Sequence, residues 1–279
     1  MNVCVRVEEV RTFSRAVRRS GKLVGFVPTM GALHEGHLSL VRAAKSQSDV
    51  VVVSIFVNPT QFGPNEDFAK YPRTLKQDRE LLEREGVALL LAPPVTEIYP
   101  DGAATYVMVE GLSEKLDSVS RPGHFRGVTT VVTKLFNIVE PDRAFFGQKD
   151  AAQIAIIRRM VRDLKIPVQV IACPIVREPD GLAMSSRNAY LSGEERKRAL
   201  VLRRSLLAAE EAFKNGERRA SKLVESALKV FNNEPAVRLD YFQVVDPDTL
   251  ESAETISRPV LVAVAAYVGS TRLIDNTLL

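Results

Sequence analysis

The chain has 279 residues, 26% charged and 46% hydrophobic, with a formal net charge of +4; this is globular usage with room for one large or two modest cores, and it excludes a disordered chain. Its basic residues alternate with acidic ones, as in Glu194–Glu195–Arg196–Lys197–Arg198, so the excess reads as solvated helix faces suited to polyanionic small molecules, with no nucleic-acid stripe. Cys4 and Cys173 are too few and too distant for a disulfide framework, Arg6, Glu8, Glu9 and Arg11 break any N-terminal apolar stretch, and no run reaches membrane-spanning length, so a cytoplasmic chain without a membrane partner is expected.

Leu23–Val27 is a short apolar run bounded by turn residues, as a buried parallel strand should be. Beyond it Leu38, Leu40, Val41, Ala44 and Lys45 fall at helical spacing, so the period switches from strand to helix across Pro28–Thr29–Met30–Gly31–Ala32–Leu33–His34–Glu35–Gly36–His37. That turn puts two of the three histidines at a helix N-terminus, where unsatisfied N–H groups and the macrodipole favour an anion such as phosphate. Gly31 and Gly36 let backbone approach such a ligand. Two other readings stay open: a metal clamp, for which no third ligand is evident, and plain helix capping by the histidines.

Further apolar runs at Val50–Phe56, Val87–Leu91, Ala144–Phe146 and Val168–Cys173 alternate with helical stripes. Val128, Val131, Val132, Leu135 and Val139 make one stripe, and Ile154, Ile157, Val161 and Leu164 another. The expected fold class is therefore α/β, a doubly wound, Rossmann-like parallel sheet over residues 1–175. Past Val176–Asp180, read as a hinge, long charged helices striped by Leu202, Leu206, Ala209, Phe213 and by Leu223, Ala227, Phe231 precede two strand-like runs, Tyr241–Val245 and Val260–Tyr267. Residues 176–279 are expected to form a smaller α+β domain.

The common phosphate cradles are missing, so other strand-end turns must carry the chemistry. Gly147–Gln148–Lys149–Asp150 follows one strand; Lys149 has the reach for a phosphate and Asp150 for a ribose hydroxyl or a magnesium water, although a capping Asp beside a solvated Lys would look the same. Met184–Ser185–Ser186–Arg187–Asn188 offers hydroxyls and a guanidinium to a polyphosphate, or is an ordinary polar turn. Asn58–Pro59–Thr60–Gln61–Phe62 could present amides to a small polar substrate, and Arg121–Pro122–Gly123–His124–Phe125–Arg126–Gly127 reads as a mobile basic loop in which His124 could cap the next helix.

Taken in order, these five segments resemble the pantothenate synthetase family, the pantoate–β-alanine ligases, and the resemblance extends to the closing Arg272–Leu273–Ile274–Asp275–Asn276. The His-x-Gly-His turn alone marks only the wider superfamily of nucleotidyltransferases and class I aminoacyl-tRNA synthetases; a nucleotidyltransferase that retains its product is the nearest rival, and a nucleic-acid-binding module a remoter one. The resemblance implies condensation of pantoate with β-alanine through a pantoyl adenylate, using ATP with Mg2+ and releasing AMP and pyrophosphate. It implies catalytic roles for His34, His37 and Lys149, and ATP contacts from Met30, Gly31, His34, Gly36, His37, Gly147, Gln148, Lys149, Asp150, Val176, Met184, Ser185, Ser186 and Arg187. Gln61 and Gln153, with Met30 lining the pocket, would hold pantoate and β-alanine. A smaller domain acting as a lid and a homodimer are further implications; no residue is assigned as a metal ligand, and whether Mg2+ touches a side chain or only phosphates and water stays open at this point.

Overall fold

The computed structural model describes residues 1–64 and 66–279. It divides into two compact units, Met1–Gly147 with Ile156–Pro174, and Gln148–Ala155 with Ile175–Leu279.

The first unit carries strands β1 (Asn2–Cys4), β2 (Val24–Thr29), β3 (Val50–Ile55), β4 (Leu89–Leu91), β5 (Arg143–Gly147) and β6 (Gln169–Cys173). All pair in parallel, in the order β1-β4-β3-β2-β5-β6. The order reverses beside β2, which lies inside the sheet at the place where a doubly wound sheet offers its carboxyl ends to a ligand. Helices α1 (Val7–Arg19), α2 (Glu35–Gln47), α3 (Leu75–Arg84), the short α4 (Val95–Ile98) and α5 (Asp117–Ser120), and α6 (His124–Val139) connect these strands. Helix α7 (Ala151–Asp163) begins in the segment that belongs with the second unit and ends in the first.

Alternation along the strands divides the core. Val27 and Phe145 pack with Leu40, Val41 and Ala44 of α2 and Leu82 of α3. Their neighbours Phe26 and Phe146 turn the other way, each meeting the ring of Phe136 on α6 edge-on at 6.4 Å. The stripe Val128, Val131, Val132, Leu135 and Val139 is buried as its spacing requires. The second stripe needs correction: α7 ends at Asp163, and Leu164 lies beyond it, 52% exposed, because Pro167 and the turn before it break the helical register. Strand β1 was not expected, since a three-residue edge strand carries too short a pattern to read.

In the second unit α8 (Gly193–Ala199), α9 (Val201–Lys214) and α10 (Ala220–Phe231) precede the antiparallel strands β7 (Val237–Val245), β8 (Leu261–Val268) and β9 (Thr271–Leu278), in the order β7-β8-β9. Leu202, Leu206, Leu223, Ala227 and Phe231 pack against Val262, Val264, Ala266 and Leu273. Three strands thus stand where two were expected; β9 was hidden because charged and amide side chains interrupt its apolar positions. Among the described residues no helix is long and apolar enough to cross a membrane, and Cys4 and Cys173 are both free thiols.

Candidate active site

The turn after β2 is built around an internal carboxylate. Gly31 (φ +84°) and Ala32 (φ +51°) are both left-handed, so the N–H groups of Ala32 and Leu33 converge in a concavity of the kind that binds anions. Asp78 of α3, 1% exposed, fills it: its carboxylate accepts from Ala32 N at 3.0 Å and Leu33 N at 2.8 Å, and from the Thr74 hydroxyl at 3.2 Å. A side chain at position 31 would meet the Asp78 carboxylate at 3.1 Å and Ile55 at 3.0 Å, so both the angle and the space require glycine.

Held this way, the chain enters α2 with His34 as its N-cap. His34 Nδ1 accepts from the backbone N–H of Gly36 at 3.1 Å, and His37 Nδ1 accepts from the backbone N–H of His34 at 3.3 Å. The rings lie 4.2 Å apart. With each Nδ1 an acceptor, the neutral tautomer carries its proton on Nε2, so both rings are donors at their outer edge. Capping and anion binding are therefore compatible uses of the same residues, through different nitrogens. Among the described residues no three His, Cys, Asp or Glu side chains are grouped to hold a metal.

After β3, Pro59–Gln61 forms a single 3₁₀ turn against α6. Gly127 makes that contact possible, because a Cβ there would lie 2.3 Å from the Thr60 carbonyl oxygen and 2.6 Å from Gln61 Cα. The Asn58 amide does not point to a substrate: its Nδ2 donates to Gln61 Oε1 and to the Gly127 carbonyl, both at 3.1 Å, while the Tyr99 hydroxyl donates to its Oδ1 at 2.9 Å. Gln61 is thereby fixed, 8% exposed, with Nε2 at 3.1 Å from Met30 Sδ.

The basic loop is packed. His124 opens α6, buried; its Nδ1–H donates to the Gln61 carbonyl at 2.8 Å and its Nε2 accepts from Arg121 at 3.0 Å. Burial, and then the nearby Arg121 charge, push its pKa down to about 4, so it is neutral at physiological pH. Arg121 in turn grips Glu66 at 2.7 and 2.8 Å. Burial works against the Glu66 anion, but the bonded guanidinium prevails and holds its carboxyl below the usual range. Burial raises the Tyr99 phenol, keeping it a donor.

The remaining candidates stand in the second unit, apart from Gly147 at the end of β5. Gln148–Asp150 is a 3₁₀ turn leading into α7, and Gln153 is half-buried in that helix's first turn. Val176 and Met184 are joined, the Met184 N–H donating to the Val176 carbonyl at 3.0 Å, while Arg177 pairs with Ala183. Ser185 caps a 3₁₀ turn over Ser186–Tyr190, its Oγ accepting from Arg187 N at 3.3 Å. Lys149, Ser185, Asn188 and Asp275 line one small pocket, so the lysine and the hydroxyl segment meet as the spacing alone could not say. Asp150 is half exposed, its Oδ1 4.0 Å from Lys149 Nζ.

The model of the pantoate-β-alanine ligase family matches residues 2–278. The chain belongs to that family. Among curated relatives, pantothenate synthetase of Acidobacterium capsulatum is 66% identical over 256 residues, 92% of this chain and 86% of that protein. That of Thermotoga petrophila is 60% identical over the full length of both. Of solved structures, pantothenate synthetase from Thermus thermophilus superposes with a TM-score of 0.95 at 48% identity, covering 99% of each chain. Pantoate-β-alanine ligase from Francisella tularensis, crystallised with β-γ ATP and β-alanine, gives 0.79 at 35% identity over 100% of this chain and 97% of that one. The chain is thus a ligase, with the family's condensation of pantoate and β-alanine as its activity.

Several residues that shape this ligase's site gave no sign in the sequence. Asp78 sits between Lys76 and Arg79 on a charged helix and reads as solvated; only the fold of α3 against the turn buries it. Tyr99 and Glu66 likewise belong to no motif, and each acts through a partner, Asn58 or Arg121.

Proposed function

We propose that the condensation proceeds through pantoyl adenylate, with the residues read from the motifs in the roles they imply. A carboxylate acylates poorly because oxide is a poor leaving group. Attack of a pantoate oxygen on the α-phosphorus of ATP expels pyrophosphate and leaves a mixed anhydride; the β-alanine amine then attacks its carbonyl, loses a proton and displaces AMP. Neither step needs a covalent enzyme intermediate, so the protein's work is positioning and charge stabilisation.

One observation carries the reading: both Nδ1 atoms of the histidine turn accept from backbone N–H groups, which sets the tautomer with the proton on Nε2 and orients both rings at the N-terminus of α2, where an anion is favoured. His34 and His37 would donate there as charge moves toward pyrophosphate. Met30, Gly31 and Gly36 shape the nucleotide side of the same turn. Lys149 beside Gln148 would hold phosphate, and Ser185, Ser186 and Arg187 the β/γ portion, with Gly147 and Asp150 at the ribose. Because Met184 N–H is spent on the Val176 carbonyl, adenine would take the Val176 N–H and the Met184 carbonyl. Gln61 and Gln153, with Met30, would bind pantoate through neutral amides that read hydroxyls and carboxylate without quenching the nucleophile. Mg2+ belongs to this scheme as part of the substrate, MgATP: a hard cation keeps its waters and takes phosphate oxygens, and Asp150 is a carboxylate with an exposed edge for its water shell.

Residues 1–175 serve as the nucleotide- and pantoate-binding domain and 176–279 as the lid in this proposal, with Gln148–Ala155 counted with the second unit by its contacts. A cytoplasmic homodimer is the assembly that the family resemblance supports. The decisive test is His37→Ala assayed for pantoate-dependent exchange of pyrophosphate into ATP. Exchange should fall by about 10²–10³-fold, the usual effect of losing one transition-state donor, with an unchanged circular dichroism spectrum. Near-normal exchange would reject the role.

A further inference from the structure

The closing strand carries Asp275 and Asn276, to which the proposed function gives no task. Both are 3% exposed. Neighbouring residues of a strand face opposite sides, and the two side chains reach different segments of the second unit. Asn276 Nδ2 donates to the backbone carbonyls of Gln148 at 2.9 Å and Lys149 at 3.0 Å, and its Oδ1 accepts from Gln148 Nε2 at 3.3 Å. Asp275 accepts from both guanidinium nitrogens of Arg177, at 2.7 and 3.0 Å, and Arg177 also donates to the Gly181 carbonyl at 3.1 Å.

The chemistry of the amide is specific. One nitrogen supplies both donors that the carbonyls need while the oxygen takes up the Gln148 amide, a combination that neither a carboxylate nor a hydroxyl can supply. The contact fixes the main chain on both sides of the Lys149 N–Cα link, where a small rotation swings the long side chain through several ångström. Because Asp275 is already spent on Arg177, the carboxylate next along the strand is not available to cancel the Lys149 charge.

We propose that Asn276 is a positioning residue of the ligase reaction, setting the Gln148–Lys149 backbone so that the Lys149 ammonium is presented to the phosphates of ATP. This rests on the reading of Lys149 given above. Its effect should therefore fall on the ATP-consuming half of the reaction and vanish when Lys149 is absent.

The test assays Asn276→Ala, Lys149→Ala and the double variant in two half-reactions: pantoate-dependent pyrophosphate exchange, and amide formation from chemically prepared pantoyl adenylate with β-alanine. For Asn276→Ala we expect exchange kcat to fall about 10- to 100-fold, the order that an ångström-scale misplacement costs, with amide formation changed less than about threefold. The double variant should be no slower in exchange than Lys149→Ala, since a residue acting through another adds nothing once that one is gone. Asn276→Asp, which keeps the size but loses both donors, should repeat the pattern and stands in if the alanine variant does not fold. Equal loss in both half-reactions, or additive losses in the double variant, would make Asn276 merely architectural and overturn the inference. Lost exchange in Lys149→Ala with intact exchange in Asn276→Ala would remove the positioning role alone; intact exchange in Lys149→Ala would remove the lysine reading and the inference with it.

Discussion

The histidine turn of the first unit and the lysine turn of the second are both held from behind, but by opposite chemistry. Behind the histidines stands a carboxylate, Asp78, received by two backbone N–H groups and a hydroxyl. Behind the lysine stands a neutral amide, Asn276, giving its protons to two carbonyls. A buried carboxylate is tolerated only where donors surround it, and the left-handed turn after β2 supplies them. Placed behind Lys149, an unpaired carboxylate would draw off the charge that the turn presents; Asp275, which lines the same pocket, is committed to Arg177, and the half-exposed Asp150 lies 4.0 Å from Lys149 Nζ. Each turn is thus ordered by a group whose charge does not compete with its own.

The largest expected effect breaks the first half of this contrast. Asp78→Ala leaves the N–H groups of Ala32 and Leu33 without their acceptor and should cost about 3 kcal/mol in urea unfolding. It should also slow pyrophosphate exchange about a hundredfold as the histidines lose their place; unchanged exchange would mean that the turn holds without its anion. Next comes Gly127→Ala, whose added methyl must displace the Thr60–Gln61 backbone. Overpacking of this kind costs about 2 kcal/mol, and the KM for pantoate should rise about tenfold while that for ATP stays level. A shift in the ATP value instead would show that Gln61 serves the nucleotide.

The smallest effect concerns pH and separates the units. The folded state holds His124 neutral down to a pKa of about 4, whereas the unfolded chain takes up a proton near 6.5. The unfolded state therefore binds more protons between these values, so stability is full above 6.5 and declines as pH falls toward 4. Between pH 7 and 5.5 the loss should be about 1 kcal/mol in urea titrations. His124→Asn, which can still donate to the Gln61 carbonyl, should lose most of this dependence. All three histidines lie in the first unit, so hydrogen exchange over the same range should quicken around Gln61 and α6 and not in β8 and β9. Equal quickening in both would dissolve the contrast.

The sequence by itself determined the parts that repeat with a period or crowd into a short segment. Alternation and helical spacing set out five of the six parallel strands and the stripes of α2, α6, α9 and α10, because burial of one face is a local constraint on residue order. The strand-to-helix switch around His34 and His37 was equally plain, and the ordered set of motifs pointed to the family. Only the tertiary structure decided what holds those motifs. Asp78 reads as a solvated helix residue, Arg121 and His124 as a loose basic loop, and β9 as a broken pattern, since each owes its state to a partner 45 to 128 residues away: Leu33 for Asp78, Gln61 for His124, and Gln148 for Asn276. Hydrogen bonds between side chains and distant backbone leave no period in the chain, so the fold alone reveals them.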